Sequence, residues 1–332
     1  MRLPFLRRRP RTLPAPRDFP FIELRAGESS VLVIPSLGGK LAELWLAGRQ
    51  WLWQSDVLPL APGTAGDSYI ETADTGGWDE CFPTVGPCRV PSWVKGVGGS
   101  SLPDHGELWS QAADVEVTTG PDGQTATCLW RGIRWPYVMG RAVRLDRSGV
   151  VHLDYEVVNE GSDRLPFLWS AHPLFPLTEQ TRLVLPEGTR LRVAARHDID
   201  LGELRSEHQW PWVRAGVRAC DFRTPFDVAK RYACKLFLDA REGTAILQEG
   251  AVELAMTWDA REIPHVGLWL NKRGWTPLRG ALPYLNLALE PAIGAPDTID
   301  EALGDWKAAA WLEPGERRRW SLHLEGRALP DA

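Results

Sequence analysis

The segment VVHLDYEVVNEGSD, residues 150–163, decides the fold class of this 332-residue chain. Its first ten residues largely alternate between apolar and polar side chains, a period of two that is typical of a strand with one buried face. The Asn-Glu-Gly-Ser-Asp run that follows is a turn signal, because these residue types tolerate the backbone angles of tight turns. The segment therefore predicts a strand that ends in a turn.

The same pattern recurs along the chain, for example in KLAELWLAG, TATCLWRGIRW, ACKLFLDA, VELAMTW and HVGLWLN. Helical periodicity is nearly absent, and the best helix candidate is the short DTIDEALGDW, residues 297–306, with Asp297 or Thr298 at its cap. We therefore predict an all-β sandwich that forms one domain over residues 20–328. The Gly- and Pro-rich stretch 58–101 is predicted as a long loop, and loops of that length are usually functional.

The N-terminal residues differ from the rest of the chain. Six arginines occur among the first 17 residues, together with several prolines, so residues 1–19 are predicted as a flexible basic arm. Without these six charges the formal net charge goes from −5 to −11, and an acidic body disfavours nucleic acid as a partner. No segment looks like a signal peptide or a membrane span, so we predict a cytoplasmic protein without a membrane partner.

The cysteines and tryptophans narrow the class further. Five scattered cysteines, an odd number without a CxxC motif, argue against a disulfide framework and against a zinc site. Seventeen tryptophans exceed ordinary usage. Many must lie in the core, but tryptophan also stacks on sugar rings, so the excess favours a carbohydrate site.

Three parts of the sequence hold the candidate chemistry. They are DTGGWDECFPTVGPC (74–88), LPDHGELW (102–109), and the pair LWSAHPLF (168–175) and LNLALEPAIGAPDTID (285–300). In the last segment an apolar strand leads directly into Glu290. A carboxylate at the end of a buried strand is costly unless it is paired or used, which makes Glu290 a functional candidate.

The order of these motifs resembles the aldose 1-epimerase (galactose mutarotase-like) superfamily over residues 21–326. The matching features are the Gly-Gly hairpin at 36–53, then CFP, DHG, HPLF, LEP and a final PGE turn. The GG…CFP…DHG part is closer to the hexose-6-phosphate mutarotase-like branch. The resemblance implies a large antiparallel β-supersandwich with a sugar cleft on one face.

The resemblance also implies a reaction that interconverts the α and β anomers of a hexose without cofactor or metal. Glu290 matches the family's base, which removes the proton of the C1 hydroxyl, and His172 matches its acid, which protonates the ring oxygen. His105 matches a second histidine, which binds the sugar near the ring oxygen. Each has a structural alternative: a satisfied core histidine for His172, a strand-end ion pair for Glu290, and a turn residue for His105.

Further substrate-binding candidates are Asp79 and Glu80, which are adjacent, so that in an extended backbone only one faces the cleft. The tryptophans Trp78, Trp109 and Trp275 are candidate platforms for the sugar, with core packing as the alternative.

The substrate and the function class stay open at this stage. The phosphate-sugar branch follows its His-Gly with an arginine, whereas this chain has HGELWSQ, so we expect a neutral hexose. One alternative is a non-catalytic sugar-binding protein on the same fold. Another is a glycoside hydrolase or lyase that uses Asp79 or Glu80 with Glu290. The expected partner is a small sugar, and the oligomeric state is open.

Overall fold

The computed structural model describes residues 13–330, which form 25 strands and two short α-helices. The first strands and helix are β1 (Ile22–Ala26), β2 (Ser29–Ile34), β3 (Lys40–Leu46), β4 (Arg49–Gln50), α1 (Tyr69–Thr72), β5 (Trp78–Cys81), β6 (Cys88–Arg89), β7 (Ser101–Leu102), β8 (Asp114–Gly120), β9 (Gly123–Arg131), β10 (Tyr137–Asp146), β11 (Val151–Asn159) and β12 (Leu165–Phe167). They are followed by β13 (Trp169–Pro176), β14 (Thr181–Val184), β15 (Arg190–His197), β16 (Glu207–Gln209), β17 (Trp212–Ala215), β18 (Arg218–Asp221), β19 (Tyr232–Asp239), β20 (Thr244–Glu249), β21 (Val252–Trp258), β22 (His265–Lys272), β23 (Leu285–Ile293), α2 (Ile299–Leu303), β24 (Ala310–Leu312) and β25 (Arg317–Ala328).

Two large antiparallel sheets dominate the structure. The larger has 13 strands in the order β1-β2-β3-β5-β13-β23-β22-β19-β15-β16-β17-β18, with β4 paired to β3. The smaller has eight strands in the order β14-β20-β21-β25-β11-β10-β9-β8. One hydrophobic cluster extends through residues of both sheets, including Leu41 and Trp78 in the larger and Val143 and Leu322 in the smaller. The predicted all-β class, with large antiparallel sheets, is confirmed.

The burial patterns explain the position of the candidate residues. In β10 buried and half-buried residues alternate along all ten positions, as expected for a strand with one face toward the core. In β23, by contrast, every residue after the first is buried. The central strands of the larger sheet are therefore covered on both faces: by the smaller sheet on one side and by loop segments on the other.

Several sequence-based boundaries need correction. The stretch 58–101, predicted as a loop, contains helix α1 and strand β5, and β5 is a central strand of the larger sheet. Residues 16–18 of the predicted arm form a 3-10 turn, and Arg17 pairs with Glu23 and Glu43 at 2.8 and 2.7 Å. Residues 1–12 of the arm lie outside the described residues.

Two smaller predictions are also placed by the structure. The helix predicted over 297–306 is α2, which is shorter and has Thr298 as its N-cap residue. All five cysteines are free thiols. Within residues 13–330 no helix is both long and apolar enough to cross a membrane.

Candidate active site

Adjacent strands of the larger sheet place a row of charged and polar side chains on one face. Strand β13 pairs with β5 so that His172 lies opposite Asp79. On its other side β13 pairs with β23, which holds Glu290, and β22 places Gly267 opposite Glu290. Residues far apart in the chain meet here because the strand order of the sheet, and not the order of the sequence, sets their neighbours.

His172 and Glu290 are the centre of this row. The distance between His172 Nε2 and Glu290 Oε1 is 3.9 Å, and the two residues are only 7% and 1% exposed. Among the described residues, no group forms a hydrogen bond to His172 Nδ1 or to Glu290 Oε1. A buried imidazole and a buried carboxylate with free polar atoms are therefore available to the same small ligand.

Lys235 of β19 lies on the other side of Glu290. Its ammonium group donates a hydrogen bond to Glu290 Oε2 and lies 3.4 Å from Asp297 Oδ1. The side chain reaches Glu290 across the intervening strand β22, where Gly267 has no side chain to obstruct it. Glu290 is thus bonded through one oxygen and free at the other.

Lys40 and Asp79 form a second ion pair on the opposite side of His172. The Lys40 ammonium donates to Asp79 Oδ2 and to the carbonyl of Gly76, the latter at 2.7 Å. The Tyr69 hydroxyl of helix α1 donates to the same Asp79 oxygen at 2.7 Å. Asp79 therefore fastens the covering helix to the floor of the site.

His105 enters the site from the Pro-Asp-His-Gly turn. It has a left-handed backbone, with φ of +57°, and Gly106 follows at φ of +72°. A side chain at 106 would place its Cβ 2.2 Å from the Phe82 carbonyl oxygen, so the turn needs glycine there. The turn holds the His105 ring against Tyr69, with centroids 4.0 Å apart, and edge-on to His172 at 4.8 Å.

Asp104 fixes the state and position of His105. Its Oδ1 lies 2.8 Å from His105 Nδ1, while Oδ2 accepts hydrogen bonds from the Ile70 backbone N–H and the Ser68 hydroxyl. Burial lowers the pKa of His105, but the hydrogen bond and the charge of Asp104 outweigh it, so the net pKa is raised. His105 therefore favours the imidazolium form.

The electrostatics of His172 and Glu290 run in the opposite sense. Burial, together with the positive charges of His105, Lys235 and Lys40, lowers the pKa of His172 well below its ordinary value. Burial raises the pKa of Glu290, and the Lys235 ammonium acts against that rise. His172 is thus a neutral imidazole at neutral pH, between a cationic histidine and an acid–base carboxylate.

No protein-family model matches the chain, and no curated protein matches it. Solved structures do. A galactose mutarotase related enzyme from Lactobacillus acidophilus is 15% identical, with 94% of this chain and 99% of that chain covered and a TM-score of 0.63. The chain has the galactose mutarotase-like fold.

Two further structures agree with this assignment. A galactose mutarotase-like protein from Clostridium acetobutylicum is 12% identical, covers 93% of this chain and 95% of its own, and has a TM-score of 0.64. Another from Lactobacillus casei is 16% identical, with 93% and 100% covered and a TM-score of 0.58. The fold implied by the sequence resemblance is therefore confirmed. At these identities the likeness concerns the fold alone.

Within the galactose mutarotase-like fold, two of the sequence candidates lie on the wrong face. Glu80 is 1% exposed and turns toward the core, where Arg141, Tyr155 and Trp169 bond to its carboxylate. Trp78 is fully buried in the same core. Both side chains are two residues apart on one strand and alternate with Asp79, so they cannot contact a ligand on its face.

The other two tryptophans lie close to the site in different ways. Trp109 is 4% exposed; its indole N–H donates to the Asp104 carbonyl at 2.9 Å, and its ring packs edge-on against Tyr69. It supports the turn and helix from behind and offers no open face to a sugar. Trp275 is half-buried and packs edge-on against Trp269, which lies opposite Lys235 in the sheet. That pair stands at the Lys235 end of the site.

Four residues of the site escaped the sequence analysis. They are Lys40, Tyr69, Lys235 and Asn286. Asn286 lies four residues before Glu290, on the same face of β23, and is 1% exposed. Among residues 13–330, nothing forms a hydrogen bond to either polar atom of its amide. A polar residue inside an apolar strand (LNLALEP) was the signal that pointed to it, since such a residue needs a partner.

Proposed function

We propose that this protein is an aldose 1-epimerase that interconverts the α and β anomers of a neutral hexose. The observation that carries the proposal is the 3.9 Å separation of His172 Nε2 and Glu290 Oε1, each buried and each with a free polar atom. A base and a proton donor that face one small ligand are what mutarotation demands. A protein that only binds sugar has no need of that pair.

The reaction requires no group from outside the chain. Glu290 takes the proton of the C1 hydroxyl while the bond between C1 and the ring oxygen breaks, and the ring oxygen takes a proton from the histidine side. The open-chain aldehyde then rotates about the C1–C2 bond. Closure by the reverse transfers returns both protons to the protein and gives the other anomer, so every atom and charge is restored.

The electrostatics refine the sequence-based assignment of the acid. A neutral His172 has no surplus proton to give, whereas His105 favours the imidazolium form. The two rings are 4.8 Å apart, edge to face. We therefore propose that the histidine pair acts together: His105 holds the proton, and His172 contacts the ring oxygen and passes the proton on.

The charges around the site support a neutral sugar. Lys40 is paired with Asp79, Lys235 with Glu290 and Asp297, and His105 with Asp104. Phosphate sites in proteins are built from arginine clusters or converging backbone N–H groups that are available to the anion. A site whose cations already have carboxylate partners favours hydroxyl groups over a phosphate.

The test is the optical rotation of fresh α-D-glucose and α-D-galactose with catalytic amounts of protein. We expect acceleration toward the anomeric equilibrium, and we expect Glu290→Gln and His172→Ala each to lower the rate by at least ~10². Glu116→Gln, on the exposed surface of β8, is the matched control and should keep full activity.

The remaining function classes make different predictions in the same assay. Two strand spacings separate Asp79 from Glu290, about 10 Å, which is close to the carboxylate spacing of inverting glycosidases. However, Asp79 Oδ2 is occupied by Lys40 and Tyr69. If oligosaccharides release reducing ends and the rotation of monosaccharides is unaffected, the protein is a hydrolase. Sugar binding without either activity would make it a binding protein.

A further inference from the structure

Lys235 is a buried cation in a place where a sheet rarely holds one. It lies in the middle of β19, and its side chain is 7% exposed. A buried ammonium is costly unless carboxylates pair with it, and Glu290 and Asp297 supply that pairing here. The contact with Glu290 joins this lysine directly to the proposed base.

Gly267 makes this contact geometrically feasible. It lies on β22, between the strands of Lys235 and Glu290, and it is opposite Glu290 in the sheet. A Cβ at position 267 would come within 2.8 Å of Glu290 Oε2, 3.2 Å of Lys235 Cε and 3.3 Å of Lys235 Nζ. The absent side chain is the passage through which the ion pair forms.

The pair determines which carboxylate oxygen can work. Lys235 binds Glu290 Oε2, whereas Oε1 is the oxygen nearest to His172 Nε2. The bond to Lys235 therefore orients the carboxylate so that its free oxygen is on the histidine side. The ammonium also stabilises the charged carboxylate, which burial alone would drive toward the protonated form.

From this geometry we propose that Lys235 is a positioning residue that keeps Glu290 ionised and presents its Oε1 to the anomeric hydroxyl of the substrate. The inference rests on the proposed mutarotase function for its catalytic meaning. The coupling between the two side chains, however, is a property of the resting protein and is measurable without any sugar.

The first measurement is the titration of Glu290 in protein with ¹³C-labelled glutamate carboxyls, followed by NMR and assigned with Glu290→Gln. In Lys235→Met, which retains the length of the side chain without its charge, we expect the Glu290 midpoint to rise by about 1 to 3 pH units. Lys235→Arg should stay near the wild-type midpoint. An unchanged midpoint in a folded Lys235→Met protein would overturn the proposal.

Gly267→Ala tests the same contact without removing the charge. Its Cβ should force the ion pair apart and move the Glu290 midpoint in the same direction, while Gly120→Ala, where an added Cβ meets nothing within 4 Å, should not. This variant also decides the question if Lys235→Met fails to fold. A wild-type midpoint in Gly267→Ala would then contradict the coupling.

Activity separates the catalytic role from a merely structural one. In Lys235→Met we expect kcat for mutarotation to fall at least ~10-fold near pH 6 and to recover as pH rises, with little change in KM. Exposed Lys95→Met is the control. A pH-independent loss would assign Lys235 to structure only. If wild-type protein shows no mutarotation but the Glu290 midpoint shifts, the proposed function fails and the coupling stands.

Discussion

Substitution of Glu80 by Gln tests the assignment of this residue to the core. The Glu80 carboxylate lies between the two large sheets. Oε1 accepts hydrogen bonds from Arg141 at 3.1 Å and from the Tyr155 hydroxyl at 2.9 Å, and Oε2 accepts one from the Trp169 indole at 3.0 Å. Arg141 is fully buried, so its charge depends on this carboxylate.

The magnitude follows from these contacts. At 3.1 Å and an effective dielectric constant of about 20, the attraction between the two charges is about 5 kcal/mol. A glutamine amide has one acceptor oxygen, so whichever way it is turned, its NH₂ group faces Trp169 or the Arg141–Tyr155 pair, all of which are donors. Removal of one partner from a buried ion pair typically costs about 3–5 kcal/mol, and we expect that loss here.

The assay is urea unfolding followed by tryptophan fluorescence, together with the mutarotation rate per folded molecule. Glu80→Gln should lower the free energy of unfolding by about 3–5 kcal/mol and leave the rate within about two-fold of wild type at temperatures where it is folded. The double variant Glu80→Gln/Arg141→Met should recover part of the loss, because it removes the uncompensated charge. A stable protein with at least a 10²-fold lower rate would refute the core assignment.

Two further predictions concern the site itself. Asp104→Asn removes the anion that raises the pKa of His105, so the alkaline limb of the pH–rate profile, where His105 loses its proton, should move to lower pH; an unmoved limb would exclude His105 as the proton holder. Asn286→Leu replaces a buried amide that has no partner among the described residues, so we expect about 1–3 kcal/mol greater stability in thermal melts and at least a 10-fold higher KM. An unchanged KM would show that Asn286 does not contact the sugar.

Local pattern was sufficient for the fold class but not for the faces of the strands. The alternation along 150–163 predicted strand β11, and the adjacency of Asp79 and Glu80 implied that only one could reach the cleft. The same period excludes Trp78 once Asp79 is assigned to the cleft, because neighbours on a strand point to opposite faces. Aromatic character alone had made Trp78 a candidate, although it says nothing about the face.

Lys235 was beyond the reach of sequence reasoning for a different reason. In ACKLFLDA it looks like the solvent-facing lysine of an ordinary amphipathic strand. Its role depends on two strands that come later in the chain, since β22 and β23 place Gly267 and Glu290 beside it. Such non-local register is set by tertiary packing, so a single sequence carries no local mark of it.

The arrangement of the row has a chemical consequence for the sugar. Across the sheet, the order is Lys40, Asp79, His172, Glu290 and Lys235, so that a neutral imidazole lies between two carboxylates, each held by a lysine on its outer side. The two lysines offset the charge of the carboxylates and keep His172 unprotonated. The strands hold these groups in place before a sugar arrives, so little reorganisation is needed when the proton moves. A charged ligand would disturb this balance, whereas a neutral sugar uses it.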